Sequence, residues 1–295
     1  MIHNLLKVLK DAFSSKKLRL PNQPLDETSL PYPLASDVSV KDYNFFIESK
    51  EISGYKFEYY NGTVYIIDMC SNEHEAVIEA LGDSFRAHSP TYAIYDAPIQ
   101  IRGQPFHESP AGDGTRIAPD LAVFPHETYV PRPPVPHPGP PPSDTRGNPY
   151  ARIICEIAMS QTSSNLKRKC KLWMRQSYVR SVLGIKLYDI MNTRNNTQGK
   201  RDRAMKATLW QQGVPKRKWK FGTVNKDGSP TGPTGCNGPN DPNYVITIPV
   251  SDVFYDPAVP AIEYTPLPPP ATLMNAVFTI DFYKIQRMVL LSQAQ

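Results

Sequence analysis

On either side of Asn61-Gly62 the chain reads as two β-prone runs, Tyr55–Tyr60 and Thr63–Met69, with apolar and polar positions alternating. Asn-Gly supplies the two left-handed residues that a two-residue turn requires, so the pattern predicts a β-hairpin. The period then becomes helical. Val77, Ile78, Leu81 and Phe85 recur at three- and four-residue spacing, which predicts a helix from Asn72 to about Ala87. Asn72 is the expected N-cap, with Glu75 three residues on, and His74 falls on the buried face. Further strands are expected at Tyr92–Arg102 (broken at Pro98), Asp120–Pro125, Arg152–Ala158, Leu183–Ile190, Lys206–Gln211 and Tyr244–Pro249. A second main helix, Asn165–Ser177, carries Leu166, Cys170, Trp173 and Met174 as its stripe. A basic loop up to Arg203 and a loop over Gly213–Asn243 are expected, with an apolar C-terminal segment folding as a helix over the sheet. Strands flanked by two main helices give an α/β or α+β sandwich.

Proline changes the organisation of this picture. The chain has 31 prolines in 295 residues, about twice the roughly 5% of an average chain. Eight of them fall within residues 131–142, PRPPVPHPGPPP, which reads as polyproline II or linker. It is either a spacer or a ligand for a Pro-rich-motif-binding partner of the SH3 or WW type. The expected organisation is an N-terminal helix and linker over 1–50, a folded domain over 51–256 with the Pro-rich insertion 131–142, and a Pro-rich tail with an apolar end over 257–295.

Net charge is +5, but its distribution is uneven. Between Asn165 and Lys226 there are 17 Lys and Arg against two acids, Asp189 and Asp202, a local net of +15. Such a block implies an anionic partner, with nucleic acid first, or a solvated basic surface. Lys216-Arg217-Lys218-Trp219-Lys220 could grip phosphate with Trp219 stacking on a base, could act as a nuclear import signal, or could be a solvated hairpin. The four cysteines form no CxxC pair or zinc spacing; Cys70, Cys155 and Cys170 are expected to be buried thiols, in keeping with a reducing compartment. No 18-residue apolar run and no secretory h-region are present, so the expectation is an intracellular protein, cytoplasmic or nuclear, with no membrane partner.

Two strand-like runs each deliver a carboxylate: Ala118-Pro119-Asp120 leads into one, and Ile153-Ile154-Cys155 ends on Glu156 in the other. A polar hinge and a lysine-rich helix follow. Paired carboxylates can ligate a divalent metal, and a nearby lysine can stabilise negative charge on phosphate. A buried, unpaired Glu156 would be unfavourable, so it needs a metal or a lysine from the next helix. Lys167 and Lys169 flank the helix stripe and both could reach the sheet edge.

The order FEYYNGTVYIIDMCSNEHEAV, APDLAVF, IICEIAMSQTSSNLKRKCKLW and GIKLYDI resembles the Uma2-like group of restriction-endonuclease-like proteins, in the PD-(D/E)XK nuclease superfamily. The resemblance spans roughly residues 51–256. It implies a mixed β-sheet flanked by helices and a Mg²⁺- or Mn²⁺-dependent endonuclease, with DNA as the leading partner. Asp120 and Glu156 match the acidic metal ligands, and Glu58 an early glutamate that could add a third. Lys169, four residues before Trp173, matches the family's lysine, and His74 a histidine beside the site, with Lys167 as a further neighbour. Lys167, Lys171 and residues 216–220 are the expected nucleic-acid contacts. The chain departs from the pattern at Ala158, where the simplest superfamily motif has lysine, at Thr63 and Asn165, where acids are usual, and in its Pro-rich insertion. Two alternatives follow: a nucleic-acid-binding protein that keeps the fold without turnover, and a Pro-rich interaction scaffold. A homodimer is compatible with either nuclease or binder.

Overall fold

The computed structural model describes residues 18–49, 54–87, 97–130, 144–194, 199–258, 263 and 265–293. The expected N-terminal helix, the start of the Tyr92–Arg102 strand and the Pro-rich run 131–142 lie outside them. The chain divides between Cys70 and Ser71 into two compact units.

The first unit holds β1 (Tyr32–Ala35), α1 (Val40–Ile47), β2 (Tyr55–Tyr60) and β3 (Thr63–Met69), with the strands in the antiparallel order β1-β3-β2. Asn61 and Gly62 have φ of 48° and 78°, so the Asn-Gly turn forms as its sequence dictates. Ser39 caps α1 by accepting the Asp42 N–H at 3.1 Å, and Phe46 of that helix meets Phe57 edge-on at 5.1 Å. Glu58 lies half-buried on β2, opposite Tyr65.

The second unit begins with α2 (Asn72–Arg86), followed by β4 (Ile99–Gly103), β5 (His107–Glu108), β6 (Arg116–Ile117), β7 (Leu121–Pro125) and β8 (Ile153–Ala158). Then come α3 (Ser163–Trp173), β9 (Ser181–Arg194), β10 (Arg201–Gln211), β11 (Val214–Gly222), β12 (Val245–Pro249), β13 (Val277–Asp281) and α4 (Phe282–Leu291). Six strands form one sheet in the order β11-β10-β9-β8-β7-β4. Only β8 and β9 run parallel in it, and a parallel pair needs a long crossover, which α3 supplies. On one face α2 and α4 bring Val77, Leu81, Phe85 and Val289 onto Leu121, Val123 and Cys155. On the other, α3 brings Leu166, Cys170 and Trp173 onto Ala122, Ile154 and Val182. This is the mixed sheet flanked by helices expected of a restriction-endonuclease-like chain.

Several local expectations are corrected. The cap of α2 is Ser71, whose Oγ accepts the His74 N–H at 3.2 Å, and Asn72 is the first helical residue. Thr162 caps α3 in the same way, so that helix starts before Asn165 and ends at Trp173. Residues 214–222, expected as loop, form β11, and β10 begins at Arg201. The period of two is hidden there because Arg217, on the face opposite Lys216, Lys218 and Lys220, makes the run basic at consecutive positions. Cys70 is exposed, whereas Cys155, Cys170 and Cys236 are buried. The apolar C-terminal segment folds as α4 and packs on the sheet.

One glycine sets how closely α3 approaches. A Cβ on Gly184 of β9 would lie 2.8 Å from Cys170 Sγ and 3.1 Å from the Trp210 ring. The helix therefore seats directly on the β9 backbone, which fixes the depth at which its lysines enter the sheet edge.

Candidate active site

The antiparallel pairing of β7 and β8 sets Leu121 opposite Cys155, Ala122 opposite Ile154 and Val123 opposite Ile153. One step further along that register come Asp120, immediately before β7, and Glu156, within β8. Asp120 is 2% exposed; its Oδ2 accepts the Ile157 N–H at 2.6 Å, and its Oδ1 lies 3.5 Å from Nε2 of His74. The other His74 nitrogen, Nδ1, meets Glu75 at 3.1 Å. The first turn of α2 thus presents its imidazole to Asp120.

Glu156 is wholly buried. Its Oε1 accepts from the Trp173 indole N–H at 2.6 Å and from Lys169 Nζ at 3.0 Å. Lys169 also donates to the Ala118 carbonyl at 3.0 Å, tying Glu156 to the segment that leads into Asp120. Lys169 and Trp173 are four residues apart and share one face of α3, which is why both reach the same carboxylate. A buried carboxylate without such partners would be strongly unfavourable. Burial pushes the Cys155 thiol far above its ordinary value, with the charges of Glu156 and Asp120 adding to the shift.

A family model described as "Putative restriction endonuclease" matches residues 44–197, just over half of the chain. The chain belongs to the Uma2 family. The matched segment of this Uma2 chain carries Asp120, Glu156, Lys169 and His74, and it ends before β10. Among curated proteins, none matches the chain. Among the described residues, no helix is long and apolar enough to cross a membrane.

The donor chemistry of the Uma2 site suits a hard divalent cation. Magnesium takes oxygen ligands, usually one or two protein carboxylates with water and phosphate oxygens completing the shell, and Asp120 with Glu156 is such a pair. Among the described residues, no three His, Cys, Asp or Glu side chains are grouped around one point. Within the second unit the residues that could hold such an ion are Asp120 and Glu156, with the imidazole of His74 facing Asp120.

The remaining expected residues lie on other elements. Glu58 lies on β2 of the first unit. Lys167 is exposed and, with Lys216 and Lys218, lines a hollow between α3 and β9–β11. Lys171 is exposed outside that hollow. Arg217 and Trp219 alternate to the opposite face, where the Trp219 ring meets Phe282 at 5.3 Å and Arg217 lies over it at 5.4 Å. Sequence reasoning did not give Trp173 its role at Glu156, although its spacing from Lys169 contained it. It also did not find Lys186 and Lys206, because cross-strand register is not visible along a chain.

Proposed function

We propose that this Uma2 protein is a divalent-metal-dependent nuclease that hydrolyses phosphodiester bonds, with DNA as its substrate. The observation that carries this reading is Lys169 Nζ at 3.0 Å from Glu156, on the strand next to the one that Asp120 leads into. Asp120 and Glu156 would hold Mg²⁺ or Mn²⁺, which when bound supplies an activated water and offsets phosphate charge. Lys169 donates to a non-bridging phosphate oxygen as charge builds in the transition state. His74 and the Ile157 N–H fix the orientation of Asp120, and Trp173 does the same for Glu156. Water attacks phosphorus and one P–O ester bond breaks. The products are a phosphate monoester and a sugar alcohol, with the proton ending on the leaving oxygen.

The ammonium of Lys169 already satisfies Glu156, and this favours a second reading, a nucleic-acid binder without turnover. The two readings separate in one experiment. Mn²⁺ binding is followed by electron paramagnetic resonance, and cleavage of labelled single-stranded DNA, duplex DNA and RNA is measured with the same protein. A nuclease binds Mn²⁺ through Asp120 and Glu156, loses that binding in Asp120→Asn, and cuts at least one substrate only with metal. Nucleic-acid binding that survives Asp120→Asn, with no cleavage of any substrate, establishes the binder instead.

A further inference from the structure

The carboxylate site does not end at Glu156. Across the sheet, Glu156 pairs with Gly184, Gly184 with Thr208, and Thr208 with Lys218. Two residues along the strands the next row on the same face reads Ala158, Lys186, Lys206 and Lys220. Residues paired in this way share a face, and this is the face that carries α3. Three lysines thus stand directly opposite one another on adjacent strands about 4.8 Å apart, a row roughly 10 Å long. Lys186 is buried and donates to the Met159 carbonyl, Lys206 is half-buried and Lys220 is exposed, so the open end of the row lies on β10 and β11.

The hollow beside it has a volume of about 200 Å³. Five lysines line it, namely Lys167, Lys186, Lys206, Lys216 and Lys218, with no acid among the described lining residues. Trp210 lines it too, and its buried indole N–H has no acceptor among the described residues. Lys206 is shared with a second hollow of about 440 Å³, which Lys220, Lys226 and Asp227 border. There the half-buried Tyr188 ring has Lys226 Nζ at 5.1 Å and Lys186 Nζ at 5.9 Å.

We propose that these two hollows form the track for the substrate's phosphodiester backbone, with Lys206, Lys218 and Lys220 as phosphate contacts and Tyr188 as a stacking surface for a base. The row begins one strand from Glu156, so a backbone seated on the lysines runs toward the carboxylate pair. Lysines supply phosphate contacts, and an aromatic face accepts any base, so the track binds without sequence preference. The identity of the polyanion as nucleic acid rests on the nuclease reading; the groove and its charge do not.

The test is fluorescence anisotropy on labelled 20-nucleotide single-stranded and duplex DNA (roughly 20 suffices to cover several phosphates), in EDTA, over a salt series. It compares the wild type, Asp120→Asn, a groove variant Lys206→Gln/Lys218→Gln/Lys220→Gln, and a charge-matched control Lys171→Gln/Arg175→Gln/Arg217→Gln. Each phosphate contact contributes about 0.9 to the salt slope on duplex and about 0.7 on single strands. The groove variant should lose about 2–3 units of slope and on the order of 100-fold in affinity at 0.1 M salt, with the control changing little. If the triple variant unfolds by circular dichroism, Lys218→Gln alone, at an exposed position, should lose just under one unit. Equal losses in groove variant and control, or a wild type that binds neither DNA, overturns the proposal. Groove-dependent binding without metal-dependent cleavage leaves the track standing and removes the nuclease.

Discussion

Lys169 and Glu156 should behave as one energetic unit. At 3.0 Å and an effective dielectric constant near 20, the gross attraction is about 5–6 kcal/mol, most of it offset by desolvation. Replacing Lys169 with Met removes the ammonium from a fully buried carboxylate and leaves the Trp173 N–H on it. Breaking a buried pair in this way costs about 3–5 kcal/mol, and Lys169 is 13% exposed, so about 3 kcal/mol is expected. For a unit of about 225 residues that lowers Tm by about 6–12 °C. Glu156→Gln keeps an acceptor for Trp173 and removes the charge, costing about 1–2 kcal/mol. The double variant should therefore be more stable than the two single losses imply, by a coupling of about 2 kcal/mol. Urea denaturation followed by tryptophan fluorescence measures this directly, because Trp173, Trp210 and Trp219 all lie in the second unit. Single losses that add within about 0.5 kcal/mol would refute the pairing.

Other consequences are open to the same kind of test. His107 stacks on Phe124 and meets the tilted Tyr150 ring, and burial lowers its pKa to about 4, against weaker opposing effects of the Pro105 carbonyl and Asp144. The unfolded chain takes up this proton near pH 6.5 and the folded one only near 4, so stability should fall as pH drops through that window, by about 3 kcal/mol in all. Urea melts at pH 7 and 4.5 should show this loss in wild type and a much smaller one in His107→Gln; an equal loss in both would locate the acid sensitivity elsewhere. Gly184→Ala should lift α3 from β9, costing about 1–3 kcal/mol and lowering cleavage at least tenfold by moving Lys169 from Glu156; wild-type activity and melting in that variant would show that α3 has room to spare. Native protein treated with a thiol reagent should react rapidly at Cys70 among its four cysteines, and Cys70→Ser should abolish the fast phase; a fast phase that persists would place a second thiol at the surface.

The hairpin around Asn61-Gly62 was legible because two residues dictate the turn, and β7, β8 and the stripe of α3 were legible because their apolar runs bury against one sheet. Asp120 and Glu156 could be marked from the carboxylate that each buried strand delivers. The choice of Lys169 over Lys167 was different. Helix geometry left both able to reach the sheet edge, and the family resemblance named Lys169, which the structure sets against Glu156. Other features depend on contacts between distant segments. Trp173 reads as core from its spacing, yet its indole N–H holds the glutamate. The lysine row Lys186–Lys206–Lys220 exists only through the register of three strands, and β11 lacks the usual alternation because Arg217 puts a basic residue on the face opposite Lys216, Lys218 and Lys220. Ser71 and Thr162 displaced Asn72 and Asn165 at the helix starts, since each offers its hydroxyl to the N–H three residues on.

The most direct test of the central claim is the conversion of supercoiled plasmid to nicked and linear forms in Mg²⁺ or Mn²⁺, comparing wild type with Asp120→Asn and Lys169→Met. The account predicts cleavage that EDTA abolishes and that each substitution lowers by at least a hundredfold, about 2.7 kcal/mol of transition-state stabilisation. Cleavage undiminished in folded Asp120→Asn and Lys169→Met would contradict it, as would a folded wild type that binds the plasmid and leaves it intact.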